Sequence, residues 1–237
     1  MTLMGPTGVR ATIPDGNETV MIVGGVLGTA YLRSVGTALR SAGSRVLYVA
    51  VFPSADAIIC RDEVEDAADC VLWIVERGDP PAARRPQDLA ASGDLVEVLV
   101  RYATGALGAA GDAPPVRLED IDRLLIIGSS CLVRRLRDAR GHELGGFLVK
   151  NPQTTASIGT PMQCMLKGVC SQCLQWQIDP HTGRRTKAVF ACSWQDQPAD
   201  IVDLDNLDER LSQNRVQEYL TGLWLNHLLA KHKLQRV

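Results

Sequence analysis

Four of the seven cysteines fall into one pattern, Cys164-x5-Cys170-x2-Cys173-x18-Cys192. Thiolates are soft ligands that select iron–sulfur clusters and zinc. Three of them in one short segment, with a fourth from a later segment, can converge on a single centre. Gly168 lies inside the loop and lets the backbone wrap closely around a bound group. Plant-type ferredoxins hold a 2Fe–2S cluster with C-x4-C-x2-C and a distant fourth cysteine, and the first gap here is one residue longer. A Cys₄ zinc site is the alternative. Zinc ribbons present two paired knuckles, whereas Cys192 has no cysteine near it, so the pattern is read as iron–sulfur.

A second set of residues has the chemistry to hold phosphate. The apolar run Thr19–Val23 ends in Gly24-Gly25-Val26-Leu27-Gly28 and passes into a helical pattern over 29–42. Glycines admit a pyrophosphate close to the backbone, and the helix N-terminus offers free N–H groups and a favourable dipole. Gly128-Ser129-Ser130 repeats the arrangement after a later strand. Two such turns at strand ends define a crevice suited to a dinucleotide, with Gly24, Gly25, Gly28, Gly128 and Ser129 as its cradle. The second strand ends in Phe52-Pro53-Ser54, without an acid for a ribose hydroxyl. Arg45, Arg61, Arg84 and Arg85 could meet a 2′-phosphate, although each also reads as a surface charge.

The elements that position these residues alternate. Strands are expected at 19–23, 45–52, 70–75 and 123–127, and helices at 29–42, 54–69, 89–105 and 132–140. Alternation of this kind implies βαβ units and a parallel sheet flanked by helices. From about Gln153 helical periodicity fades until a tail helix from Leu207, in which Leu220, Trp224 and Leu228 share a face that suits packing on the core or a partner's groove.

The composition, 46% hydrophobic and 22% charged with net charge −2, is that of a globular domain and does not supply the positive surface that nucleic acid requires. No apolar run reaches the roughly 18 residues that span a bilayer, and the first residues do not form a signal peptide. The chain is expected to be cytoplasmic, with reduced cysteines. Cys60 and Cys70 read as core residues, Cys131 as a helix-opening cysteine beside the crevice, and the four histidines as surface residues.

Taken together, Gly5-Pro6-Thr7-Gly8, the Gly24–Gly28 loop, the Gly128-Ser129-Ser130 turn and the block from Pro161 to Gln175 resemble the ferredoxin–NADP reductase-like superfamily. Within it they are most similar to the electron-transfer subunit of dihydroorotate dehydrogenase and to related modules fused to glutamate-synthase-small-subunit-like oxidoreductases. The resemblance implies a Rossmann-like NAD(P)-binding domain over 1–150 and a small Cys-rich 2Fe–2S domain with a C-terminal helix over 151–237. The family's FAD-binding barrel precedes the GP-x-G segment, here at residues 5–8, so FAD is expected from a partner flavoprotein or larger oxidoreductase subunit. The implied function is electron transfer between NAD(P)H, a flavin and an acceptor. The alternative is a zinc-stabilised assembly module docking on a larger oxidoreductase.

Overall fold

The structure is a computed structural model in which residues 11–14, 16–108, 116–160, 164, 169–213 and 215–234 are described. Strand β1 (Thr19–Gly24) is buried along its whole length. Its alternate side chains go to opposite faces: Val20 and Ile22 pack with Leu32, Val35 and Leu39 of helix α1 (Val26–Ser41). Met21 and Val23 join the other layer, with Val133 and Leu136. A strand apolar on both faces is what a parallel sheet covered on both sides demands.

Strands β2 (Arg45–Phe52), β3 (Cys70–Val75) and β4 (Leu89–Ser92) add in parallel on one side of β1. The chain then crosses through helix α3 (Leu95–Ala103) to β5 (Arg123–Gly128) on the other side, and through α4 (Ser130–Gly141) to β6 (Gln153–Ile158). The sheet is completed by β9 (Gln197–Pro198), antiparallel to β6. The resulting order is β4-β3-β2-β1-β5-β6-β9, which reverses direction between β1 and β5. Helices α1 and α2 (Arg61–Ala67) cover one face; α3, α4 and α5 (Leu204–Ser212) cover the other. This is a Rossmann-like α/β fold.

A second, two-stranded sheet pairs β7 (Leu174–Ile178) with β8 (Arg185–Phe190). Three buried glutamines join it to the main sheet: Gln177 Nε2 donates to Gln197 Oε1 at 2.9 Å and Gln197 Nε2 donates to Gln175 Oε1 at 2.7 Å.

Three elements differ from expectation. The stretch 54–69 is not one helix: a 3₁₀ turn at Ala55–Ala57 is separated from α2 by Cys60, which lies in the left-handed region at φ 51°. The stretch 89–105 divides into β4 and α3. Gly93 turns the chain at φ 136°, and Asp94 caps α3 by accepting from Val96 N at 3.0 Å and Glu97 N at 3.2 Å. The tail helix α6 (Arg215–Lys231) buries no residue, so it does not pack on the core. The sheet also runs past residue 150, since β6 is a full parallel partner of β5. No helix among the described residues is long and apolar enough to cross a membrane.

Candidate functional site

The two glycine turns lie side by side at the point where the strand order reverses. Gly24 and Ile127 are register partners, so the ends of β1 and β5 are adjacent. The turn after β1 has no room for side chains. A Cβ on Gly24 would run into the Ile127 carbonyl oxygen and stand 2.9 Å from Gly28 Cα, and one on Gly25 would stand 2.6 Å from the Val51 oxygen. Small residues here let α1 begin at Val26, with Thr29 N bonded to Gly25 O at 2.8 Å. Gly28 faces the Tyr48 hydroxyl and Gly128 faces Leu132.

Tyr48 pins this turn from below. Its buried hydroxyl reaches Gly24 O at 2.9 Å and Gly25 O at 3.1 Å, while Thr29 Oγ1 lies 3.1 Å from it. One phenolic proton serves both carbonyls, and Thr29 supplies the second donor. Tyr48→Phe removes the donor without changing the packing. It is expected to cost about 1–2 kcal/mol in chemical denaturation, and Thr29→Ala less.

The two helix N-termini are not equivalent. Helix α1 carries no acid in its first turn. At α4, Ser129 Oγ caps its own helix by accepting from Leu132 N at 3.2 Å, and Asp208 accepts from Ser130 and pairs with Arg134 at 2.9 Å. A carboxylate therefore already faces α4, which leaves α1 as the end suited to an anion.

Beside α1 is a cavity of about 540 Å³, within the range of small-molecule sites. Its walls include Leu27, Tyr31, Ile127, Ser157, Thr160 and Cys192. The wall is fastened by Tyr31, whose hydroxyl donates to Asp196 Oδ2 at 3.0 Å, tying α1 to the cysteine segment. Burial holds the Asp196 carboxyl above its ordinary value, against the bond from Tyr31. Folding thus makes Asp196 easier to protonate than it is in the unfolded chain. The stability that protonation contributes is fully present below the unfolded carboxylate pKa and is lost as pH rises through the raised folded value. Asp196→Asn keeps an acceptor for Tyr31 and has no charge to bury. Tm measured from about pH 4 to pH 7 should show the native protein losing stability relative to the variant as pH rises.

The cysteine pair is built by the β7–β8 hairpin. Cys173 immediately precedes β7 and Cys192 follows β8; Leu174 pairs with Phe190, and Ala191 N bonds to Cys173 O at 3.0 Å. The 18 intervening residues are the hairpin itself, so its open end brings the two sulfurs to 3.4 Å. Both are free thiols, far beyond the roughly 2.05 Å of a disulfide. A tetrahedral metal at about 2.3 Å holds two sulfurs about 3.8 Å apart, so the pair fits one edge of such a centre. The Cys173 thiol is pushed up by burial, and also by the neighbouring Cys192 and Cys170 thiols.

Cys164 is half-buried, and its flanks 161–163 and 165–168 lie outside the described residues. Among the described residues no group of three or more His, Cys, Asp or Glu gathers into a metal site. The structure brings together Cys173 and Cys192, with Cys170 in electrostatic reach.

Two features around the pair had no sequence motif. Arg210 of α5 bonds the carbonyls of Leu174 and Ser171, the latter at 2.9 Å, and so clamps both sides of Cys173; Ser171 is in the left-handed region at φ 55°. Gln175, on the same face of β7 as Cys173 by strand alternation, has a buried Nε2 without a hydrogen-bond partner among the described residues. The hairpin did carry a readable signal: Asp179-Pro180-His181-Thr182-Gly183 is turn chemistry between two β-rich runs.

Other candidates resolve into structure. Arg61 pairs with Glu65 at 2.7 Å and stacks over Trp73, while Arg85 pairs with the buried Asp88 at 2.7 Å. Both are framework residues, and Arg84 pairs with Asp62. Cys70 is a core residue whose thiol is pushed up to about 12 by burial. Cys60 is only half-buried, near Arg33, and Cys131 is exposed at the start of α4. The Gly5–Gly8 segment lies outside the described residues.

No family model matches the chain. A stretch of 106 residues, 45% of the chain, is 30% identical to an uncharacterized protein of Rickettsia prowazekii (strain Madrid E) and spans 14% of that protein's length. Among solved structures the chain is similar to one from the NADH-dependent reduced ferredoxin–NADP oxidoreductase, described for flavin-based electron bifurcation. That likeness has a TM-score of 0.61 and 20% identity, covering 94% of this chain and 67% of the other. At this identity it is a likeness of fold: the two chains share a Rossmann-like parallel sheet flanked by helices.

Proposed function

We propose that this chain is an electron-transfer component of an NAD(P)H-dependent oxidoreductase. Residues 1–150 carry the nucleotide crevice. Residues 151–237 carry a 2Fe–2S site formed by Cys164, Cys170, Cys173 and Cys192, and lend β6 and β9 to the sheet. The observation that carries the reading is that one cavity is lined by Leu27 and Tyr31 of α1, the helix that follows the first glycine turn, and by Cys192. The fold shared with an oxidoreductase described for flavin-based electron bifurcation supports it.

In this reading Gly24, Gly25 and Gly28 bring the free N–H groups of α1 up to a pyrophosphate, with Gly128 and Ser129 bounding the crevice. Tyr48 holds that turn rigid, and the buried Ile127 and Ile158 give the cavity an apolar wall. Cys173 and Cys192 give up their thiol protons on ligation, and the free amide donor of Gln175 and the Arg210 clamp suit a site that concentrates negative charge. A bound cluster supplies one-electron transfer, whereas a nicotinamide gives up two electrons as hydride, so the relay requires a flavin between them, assigned here to a partner. The 3.4 Å sulfur pair would also accept tetrahedral zinc, and that metal defines the competing assembly-module reading.

The shared cavity is tested on the metal-free chain. Calorimetric titration with NADH and NADPH should show binding of at least one, and binding should slow alkylation of Cys192. Absence of affinity for both nucleotides removes the nucleotide role.

A further inference from the structure

The Cys173–Cys192 pair has a chemistry of its own when no metal holds it. The sulfurs are 3.4 Å apart, and both are free thiols. Closing to the roughly 2.05 Å of a disulfide requires an approach of about 1.4 Å, which side-chain rotation supplies. The backbone beside the pair is already in place. Ala191 N bonds to Cys173 O at 3.0 Å and Leu174 lies opposite Phe190, so Cys192 is one residue beyond a laddered pair. Antiparallel partners have Cα atoms about 4.5–5.5 Å apart, inside the span of about 4.4–6.8 Å that a disulfide bridges.

Burial sets the order in which the two thiols react. Cys173 is 0% exposed, whereas Cys192, at 2%, lines the cavity beside α1. An oxidant arriving through that cavity meets Cys192 first. It must also be small to reach a sulfur so nearly covered, which suits a hydroperoxide better than a bulky disulfide. Arg210 holds the Ser171 and Leu174 carbonyls on either side of Cys173 and keeps that thiol beside Cys192.

We infer that the pair is a modification site for small hydroperoxides, with Cys192 as the attacking thiol and Cys173 as the resolving one. With hydrogen peroxide, Cys192 Sγ bonds to one oxygen, the O–O bond breaks, and the other oxygen leaves as water with the thiol proton. The product is a sulfenic acid. Cys173 Sγ then attacks Cys192 Sγ, and the sulfenic oxygen leaves as a second water, taking the Cys173 proton. Two thiols are oxidised to one disulfide, and one peroxide is reduced to two waters. A sulfenic acid oxidised further becomes an irreversible sulfinic acid, whereas one captured by a thiol becomes a disulfide that reduction reverses. Cys173 thus protects Cys192 while the site is empty. A second consequence rests on the metal reading above: a disulfide offers no thiolate to a metal, so the oxidised chain cannot be loaded until it is reduced.

The test uses the full chain, reduced, freed of metal with a chelator and then treated with hydrogen peroxide. Arg184, Arg185 and Lys187 lie between the two cysteines, so after trypsin only a disulfide keeps their peptides together. The peptide linked through Cys173 and Cys192 should be the main product at these positions, and the link should persist in Cys170→Ser. In Cys173→Ser the Cys192 peptide should instead gain two oxygens. A link from Cys170 to Cys173, or a Cys192 that gains two oxygens in the native chain, overturns the inference. Zinc uptake should be lost in the oxidised chain and return with dithiothreitol; uptake indifferent to the disulfide overturns the block on loading. A reduced chain that takes up no zinc or iron removes the metal reading instead, and the peptide result still decides the oxidation.

Discussion

Cys173→Ser and Cys192→Ser are each expected to abolish metal binding. The two sulfurs stand 3.4 Å apart, held by the Leu174–Phe190 pair and by the Arg210 bonds to Ser171 and Leu174. A serine hydroxyl cannot replace a soft thiolate for iron in a cluster. The bound metal should fall from about two irons per chain, the content of a 2Fe–2S cluster, to near zero after anaerobic reconstitution. Cys164→Ser and Cys170→Ser should do the same if all four cysteines are ligands. Cys60→Ser, Cys70→Ser and Cys131→Ser serve as controls and should keep the iron, because none of them belongs to the hairpin site. Quantitative iron analysis reads the result, and retention of full iron in Cys192→Ser would remove the hairpin from the site.

Gly24→Ala is expected to be the most damaging single methyl in the crevice. Its Cβ would meet the Ile127 carbonyl and the Gly28 backbone, and neither can turn away as a side-chain end can. Relief requires β1 to separate from β5, or α1 to withdraw from the sheet. The cost is about 3 kcal/mol, at the upper end of ordinary overpacking, and a drop in Tm of about 6–12 °C follows for a chain of this size. Nucleotide affinity should fall with it, because the N–H groups of α1 move with the turn. Gly141→Ala, where the added methyl meets nothing within 4 Å, is the matched control and should leave Tm unchanged or slightly raised. Equal thermal unfolding of the two variants would show that the close approach at Gly24 does not govern the crevice.

The contrast between these positions explains what could be read from the sequence. Strands β1, β2, β3 and β5 were legible because both faces of each are buried, which turns them into unbroken apolar runs. Strand β6, QTTASI, was not, because its polar alternation gives no apolar run, and β4, LAAS, merged with the helix that follows it. The Gly93-Asp94 turn and cap were the local signal that separated β4 from α3. The glycine turns were visible as glycines. Their adjacency depends on the crossover from β4 to β5, a long-range event that no local window contains.

The cysteines show the same division. Their clustering was legible, and the long gap to Cys192 counted as isolation. In space it is the length of a hairpin, and the hairpin returns Cys192 to Cys173. Tyr48, Tyr31, Asp196, Arg210 and Gln175 were invisible because each acts through a partner more than fifteen residues away or through burial alone. The tail helix carried an apolar face in the sequence, but only the structure shows that, among the described residues, none of the helix is buried.

The central claim is that the hairpin cysteines hold a 2Fe–2S cluster next to a nucleotide crevice. It is tested most directly on the full chain purified without oxygen, by iron, zinc and acid-labile sulfide analysis together with electron paramagnetic resonance before and after dithionite reduction. The account predicts about two irons and two sulfides per chain, no signal when oxidised and a one-electron signal when reduced. A colourless chain carrying one zinc and no sulfide would contradict it.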